Sequence, residues 1–135
     1  MPFARLTLAA ADIADDTRSL LVTEITDLLD KVLLKDAAHA VVQINLTAPD
    51  RWFVGGQPLD TAVIGAHLEV SITAGTNTSG EKAEFIERAY WLLARHLRTL
   101  PDAVYVALYE LDGESYGYNG VTQLARLRHD PIGRD

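Results

Sequence analysis

His67-Leu68-Glu69-Val70-Ser71-Ile72-Thr73 alternates apolar and polar residues without a break, the period of a strand with one face on a core. The same alternation runs through Phe3-Ala4-Arg5-Leu6-Thr7-Leu8. A second matched pair, Ala40-Val41-Val42-Gln43-Ile44-Asn45-Leu46 and Val104-Tyr105-Val106-Ala107-Leu108-Tyr109, keeps the same offset of about 64 positions (67 against 3, 104 against 40). Between the members of each half lies a helical stripe. Leu21, Ile25, Leu28, Leu29 and Val32 recur at three- and four-residue steps from about Thr17 to Leu34, and Phe85, Ala89, Leu92, Leu93 and His96 do so in the second half. Thr78 and Glu81 have the spacing of a capping box at the start of that second helix. Each half is thus a β-α-β unit, whose two strands should run parallel with a right-handed crossover. The duplication places pseudo-repeats at about 2–60 and 66–120 of a single domain over 1–135, with 121–135 as a tail holding Arg126, Arg128 and the Asp130-Pro131 break.

Composition limits the chemistry. A chain of 135 residues with 48% hydrophobic and 23% charged residues is an ordinary globular domain. The net charge of −7 and the lack of a dense Lys/Arg stripe argue against nucleic acid as a partner. Zero cysteines exclude a disulfide framework, a thiolate nucleophile and Cys-ligated metal. His39, His67, His96 and His129 have no ligand spacing, so no metal is expected. Glycines and serines form neither a phosphate loop nor a Gly-x-Ser-x-Gly elbow. No apolar run approaches a membrane span, and the start of the chain does not read as a signal segment, so the expected setting is the cytoplasm with no membrane partner.

Strand parity makes a further statement. Ala4, Leu6, Leu8, Val42, Ile44, Leu46, Leu68, Val70, Ile72, Val106 and Leu108 share one face, which must lie under the two helices. The other face carries Phe3, Arg5, Thr7, Val41, Gln43, Asn45, His67, Glu69, Ser71, Tyr105 and Tyr109. Two helices on one side leave this mixed face to solvent or to other subunits.

Pro2 is the first candidate for chemistry. Removal of Met1 before a small residue would leave a secondary amine at the chain start. An α-amino group has a reference pKa of about 7.7–8.0, and burial or a nearby cation lowers it into the range of a general base.

The leading proline, the paired β-α-β units and the Trp52-Phe53-Val54-Gly55-Gly56 turn resemble the tautomerase superfamily over about residues 2–120. The two-unit length is similar to its migration-inhibitory-factor and cis-3-chloroacrylic acid dehalogenase branches. Ile25-Thr26-Asp27, Gln43-Ile44-Asn45 and Phe53-Val54-Gly55-Gly56 resemble dehalogenase-type segments, while Lys35, Val104-Tyr105 and Tyr116-Gly117-Tyr118-Asn119 resemble the other branch. The resemblance implies an α+β fold, a four-stranded mixed sheet with two helices on one face. Three copies would close into a trimeric barrel with the uncovered faces inward.

It also implies an activity: cofactor-free keto–enol proton transfer on a small 2-keto acid, with Pro2 as catalytic base. Lys35 would anchor or polarise substrate oxygen, and Tyr105, from a neighbouring subunit, and Tyr116 would shape the pocket. Trp52 reads either as pocket lining or as a turn anchor. Arg5 reads either as a cation lowering the Pro2 pKa or as an ion-pair partner of Glu69. Arg126 and Arg128 read as a solvated tail or as a carboxylate clamp.

Departures from the family pattern are informative. The prototype's two arginines would fall at Asp12 and Val41. The dehalogenase arginine pair would fall at Thr73 and Thr76, its helix histidine at Leu29 and its glutamate near Tyr118. Without a water-activating carboxylate and an arginine clamp, haloacrylate hydration loses its nucleophile and its charge stabilisation. A monocarboxylate with an apolar tail is the expected substrate. The alternatives are a dehalogenase, hydratase or decarboxylase of the same superfamily, or a trimeric binding protein without turnover if Met1 is retained.

Overall fold

The computed structural model of the chain describes residues 2–129. The main sheet has four strands, β1 (Phe3–Ala9), β2 (Val41–Thr47), β5 (Gly65–Thr73) and β6 (Tyr105–Leu111), in the order β2-β1-β5-β6. Two hairpins, β3 (Phe53–Val54) with β4 (Gln57–Pro58) and β7 (Gly117–Tyr118) with β8 (Val121–Thr122), complete the strands. The helices are α1 (Asp15–Lys31), α2 (Ser79–His96) and α3 (Gln123–His129).

Within each half the strands pair in parallel, Ala4 with Val42 and Leu68 with Val106, as expected for crossover connections. The halves join antiparallel through the two central strands, Ala4 opposite Val70 and Leu6 opposite Leu68. The sheet is therefore mixed, and its hydrophobic parity is in register across all four strands. Leu6, Leu8, Leu68, Val70 and Ile72 pack beneath Leu21, Ile25 and Leu29 of α1 and Phe85, Ala89 and Leu93 of α2, all fully buried. Each such side chain contributes about 1.5–3 kcal/mol of transfer free energy, an upper figure against a compact unfolded chain.

The second helix starts as its sequence demands. Thr78 Oγ1 accepts from the Glu81 amide at 3.1 Å, and the Glu81 carboxylate accepts from the Thr78 amide at 2.9 Å. The first helix has no side-chain cap at Ala14 and relies on Asp15 and Asp16 against its dipole. It is shorter than the apolar stripe suggests, ending at Lys31 because Leu34 turns into the left-handed region at φ 59°.

The segment after Val121 is not a free tail. Asn119-Gly120, with φ values of 51° and 84°, makes the two-residue turn between β7 and β8. Through Gln123, which is fully buried, the chain then enters α3, whose Leu124 amide donates to the Gly113 carbonyl at 3.0 Å. Hydrogen bonds from Gln123, Leu124 and Arg126 to residues of the same protomer hold the start of the segment that the sequence reads as a tail. The Asp130-Pro131 break lies outside the described residues.

Candidate active site

The antiparallel joint between the halves decides what lies near Pro2. It sets the start of β1 beside the end of β5, Phe3 opposite Ser71, while the parallel partner puts Val41 on the other side. Pro2 is buried there, its carbonyl accepting from the Val41 amide at 3.2 Å. By alternation it belongs with Ala4, Leu6 and Leu8, the set facing the helices. The residue that matches Pro2 in the second half is Ala66, buried at the opposite end of the sheet in mid-chain. A peptide nitrogen has no basic lone pair, so Ala66 offers no such base.

Lys35 reaches the Pro2 end from the same helix layer. The left-handed Leu34 closes the α1 terminus, with the Lys35 amide donating back to the Leu29 carbonyl at 2.9 Å. This reversal turns Lys35 inward, where it is 1% exposed. Its Nζ donates to Thr76 Oγ1 at 2.6 Å, and that hydroxyl donates to the Thr73 carbonyl at 2.6 Å. Asn77 Nδ2 ties the same loop to the Leu33 carbonyl at 2.8 Å and to Glu81 at 3.1 Å. Hydrogen bonds from the Thr78 backbone and Asn77, assisted by the Lys35 charge, hold the Glu81 carboxyl below its ordinary value. The two positions where a dehalogenase-like chain would carry arginines are thus threonines, of which Thr76 holds Lys35 and Thr73 holds Thr76 through its backbone carbonyl.

Tyr116 joins this end. Its hydroxyl donates to the Ser71 carbonyl at 3.2 Å. Two residues on, the Tyr118 ring lies 5.7 Å from the His39 ring, just before β2. A segment that touches β5 at Tyr116 and the approach to β2 at Tyr118 must cross the start of β1 between them. The β7–β8 hairpin therefore roofs the end of the sheet that holds Pro2. Over the Tyr118 ring sits Arg126, its guanidinium carbon 3.7 Å from the ring centre and its Nη2 donating to the Tyr118 carbonyl at 2.9 Å.

The remaining expected residues lie elsewhere in the protomer. Tyr105, 69% exposed, starts β6 at the far end of the sheet and meets His67 edge-on at 6.4 Å. Trp52 is also at the far end, its ring lying flat on Gly65, so it anchors the β2–β5 connection of its own chain. Arg5 lies on the uncovered face, opposite in parity to Pro2, and donates through Nε to Gln43 at 3.1 Å. Its cross-strand neighbour Glu69 instead accepts from Tyr109, and that bond with the carboxylate charge raises the Tyr109 hydroxyl above its ordinary value. The Arg5–Glu69 pair is replaced by these two separate contacts. Among the described residues no group of three His, Cys, Asp or Glu side chains could hold a metal ion, and no helix is long and apolar enough to cross a membrane.

One feature escaped the sequence reading although a signal for it exists: Asn119-Gly120 is a strong two-residue hairpin signal, whereas the expected Gly55-Gly56 turn, with φ values of 59° and 77°, joins β3 to β4. Docking of α3 had no such local signal.

No family model and no curated protein matches the chain. Solved structures do. A member of the cis-3-chloroacrylic acid dehalogenase family superposes with a TM-score of 0.76 at 20% identity, over 89% of this chain and 82% of that one. A fused 4-OT asymmetric trimer gives 0.80 at 15% identity, over 92% and 98%. A macrophage migration inhibitory factor-like protein from Entamoeba histolytica gives 0.72 at 21% identity, over 90% and 97%. The strand order, the two crossover helices and these superpositions agree: the chain has the tandem β-α-β fold of the tautomerase superfamily.

Proposed function

We propose that this protein is a cofactor-free tautomerase that moves a proton between carbon and oxygen of a small 2-keto acid, with Pro2 as base and then acid. The observation that carries the reading is the burial of Pro2 at the head of β1, in the helix-facing layer that also holds the Lys35 ammonium. Burial and a neighbouring cation both disfavour the protonated amine and lower its pKa. Once Met1 is removed, the nitrogen takes the proton from the carbon next to the carbonyl. The C–H bonding pair forms the carbon–carbon double bond, the carbonyl π pair moves onto oxygen, and the proton is delivered there to give the enol. Lys35 acts through its charge on that oxygen, and Tyr116 with the β7–β8 roof keeps water out.

Assembly completes the site in this reading. The uncovered face leaves Val41, Tyr105 and Tyr109 exposed at 47%, 69% and 45%, and the structurally similar fused 4-OT proteins are trimers. Three copies packed through these faces would bring Tyr105 of one chain to the Pro2 end of the next, with a cytoplasmic setting consistent with the cysteine-free composition. Hydration of haloacrylates has less support, since Leu29 is fully buried and apolar and the Thr76 hydroxyl is committed to Lys35.

The test is Pro2→Ala in a variant whose oligomeric state matches wild type. Proton exchange on a phenylpyruvate-type keto acid should fall by about 10²–10⁴-fold, the usual contribution of a positioned base. Unchanged exchange, or an intact mass showing Met1 retained on the active protein, would refute the assignment of the base and favour a binding protein.

A further inference from the structure

The duplication leaves a cleft in the second half of its plan. It lies at the end of the sheet away from Pro2, beside Ala9 and Ala10 where β1 ends, and has a volume of about 690 Å³. Small-molecule sites run from about 300 to 1,000 Å³. The β1–α1 loop, the 61–64 segment and the end of α2 form its walls. The offset of 64 positions shows why space remains there. Thr99 stands where Lys35 stands in the other half, and Asp12 where Thr76 stands (99 against 35, 76 against 12). Lys35 is buried against Thr76, whereas Thr99 is short and exposed. None of the described residues on the uncovered sheet face lines the cleft, so it is separate from the face offered to other copies.

His96 gives the cleft its chemistry. Its side chain lines the wall and is 15% exposed. The Glu24 carboxylate takes Nε2, so the neutral ring carries its proton there and Nδ1 is left as an acceptor. Among the described residues, the imidazole makes no other hydrogen bond. The surrounding wall is aliphatic, with Ala9, Ala10, Val63, Ile64 and Leu97, and its two exposed charges, Asp12 and Arg98, are of opposite sign. A ligand here therefore needs an apolar body, one donor and no net charge. We propose that the cleft binds a neutral aliphatic alcohol, whose hydroxyl donates to His96 Nδ1 and whose chain lies on the alanines, Val63 and Ile64. This site is independent of Pro2 and of any turnover there.

The test is calorimetry on the full chain with 1-octanol, with octyl methyl ether, which lacks the donor, and with octanoate. Wild type should bind octanol saturably and the ether about 3–10-fold more weakly, the range of a neutral hydrogen bond. His96→Gln keeps a polar atom near Nε2 for Glu24 and removes Nδ1. It should lose the same factor for octanol and bind the ether as wild type does. His96→Asn, with a polar atom near Nδ1, should recover part of the octanol affinity. Ala62→Trp, at an exposed wall position, should fill the cleft and abolish binding of both, while Pro2→Ala should bind as wild type. Octanol added to labelled wild type should shift the amide resonances of Ala10, Val63 and Thr99, a readout that needs no variant. No saturable octanol binding, equal affinity for alcohol and ether, tighter binding of octanoate, or shifts confined to other residues would each overturn the proposal.

Discussion

Gly65→Ala tests whether Trp52 anchors its own chain. A Cβ at Gly65 would lie 2.7, 2.7 and 2.8 Å from Trp52 Cε2, Nε1 and Cδ2. To reach an ordinary contact of 3.4 Å the indole must recede by about 0.7 Å, the difference between those distances. A fused ring cannot yield as the tip of a flexible side chain can. Overpacking of this kind costs about 1–3 kcal/mol. Against it stands a gain of about 0.4–1 kcal/mol from a less flexible unfolded chain, since the backbone at Gly65 is not in the left-handed region. The net expectation is a loss of up to about 2.6 kcal/mol in the wild-type background. With Trp52→Ala the obstruction is gone, and the same glycine substitution should be neutral or stabilising by up to about 1 kcal/mol. Urea unfolding at fixed protein concentration, followed by far-ultraviolet circular dichroism, reads both backgrounds. The sequence has two tryptophans, and Trp91 is 59% exposed, so a Trp91→Phe background also isolates the Trp52 fluorescence. An identical effect of Gly65→Ala with and without Trp52 would refute the contact and return Trp52 to the pocket.

Two further predictions concern the roof and the acid limb. Gly117→Ala drives a Cβ against the Val121 carbonyl oxygen, with Thr122 Cα at 2.9 Å, so the β7–β8 hairpin must open. Limited proteolysis should then cut after residue 112, with proton exchange on the keto acid reduced and hydrogen-exchange protection of α2 retained; an uncleaved variant with unchanged exchange refutes the roof. Burial works against ionised Glu24, but hydrogen bonds and charges from Arg95 and His96 outweigh it and lower its pKa from 4.5. A carboxyl depressed on folding stabilises above its unfolded pKa and loses that stability as pH falls through the folded value. Glu24→Gln should therefore destabilise at pH 6, and the penalty should shrink as pH falls below the ordinary carboxylate range; a difference independent of pH would refute the pairing.

Much of the architecture was legible because its causes are local. Strand alternation, helix periodicity and the Thr78–Glu81 cap act over a few residues, so they are written in short windows. A constant offset between halves then made the parallel crossovers follow from handedness alone. The site was only partly legible. Pro2 stood out by position, and Lys35 by resemblance, but nothing near Lys35 in the chain announces that Thr76, 41 residues away, would hold it. For Arg5, strand parity already placed it on the uncovered face, but its partner there, Gln43, 38 residues away, is set by the register of β1 and β2.

From the amino-acid order alone came the duplicated β-α-β plan, the apolar face beneath the helices and a single amine candidate, since each depends on period or on being first in the chain. Folding decided the rest. Antiparallel docking of the two halves chose which loop faces Pro2, the left-handed Leu34 turned Lys35 inward, and the hairpin at Asn119-Gly120 let Arg126 stack on Tyr118. Those outcomes join residues that are distant along the chain, and the free energy that selects them exists only when both partners are already packed.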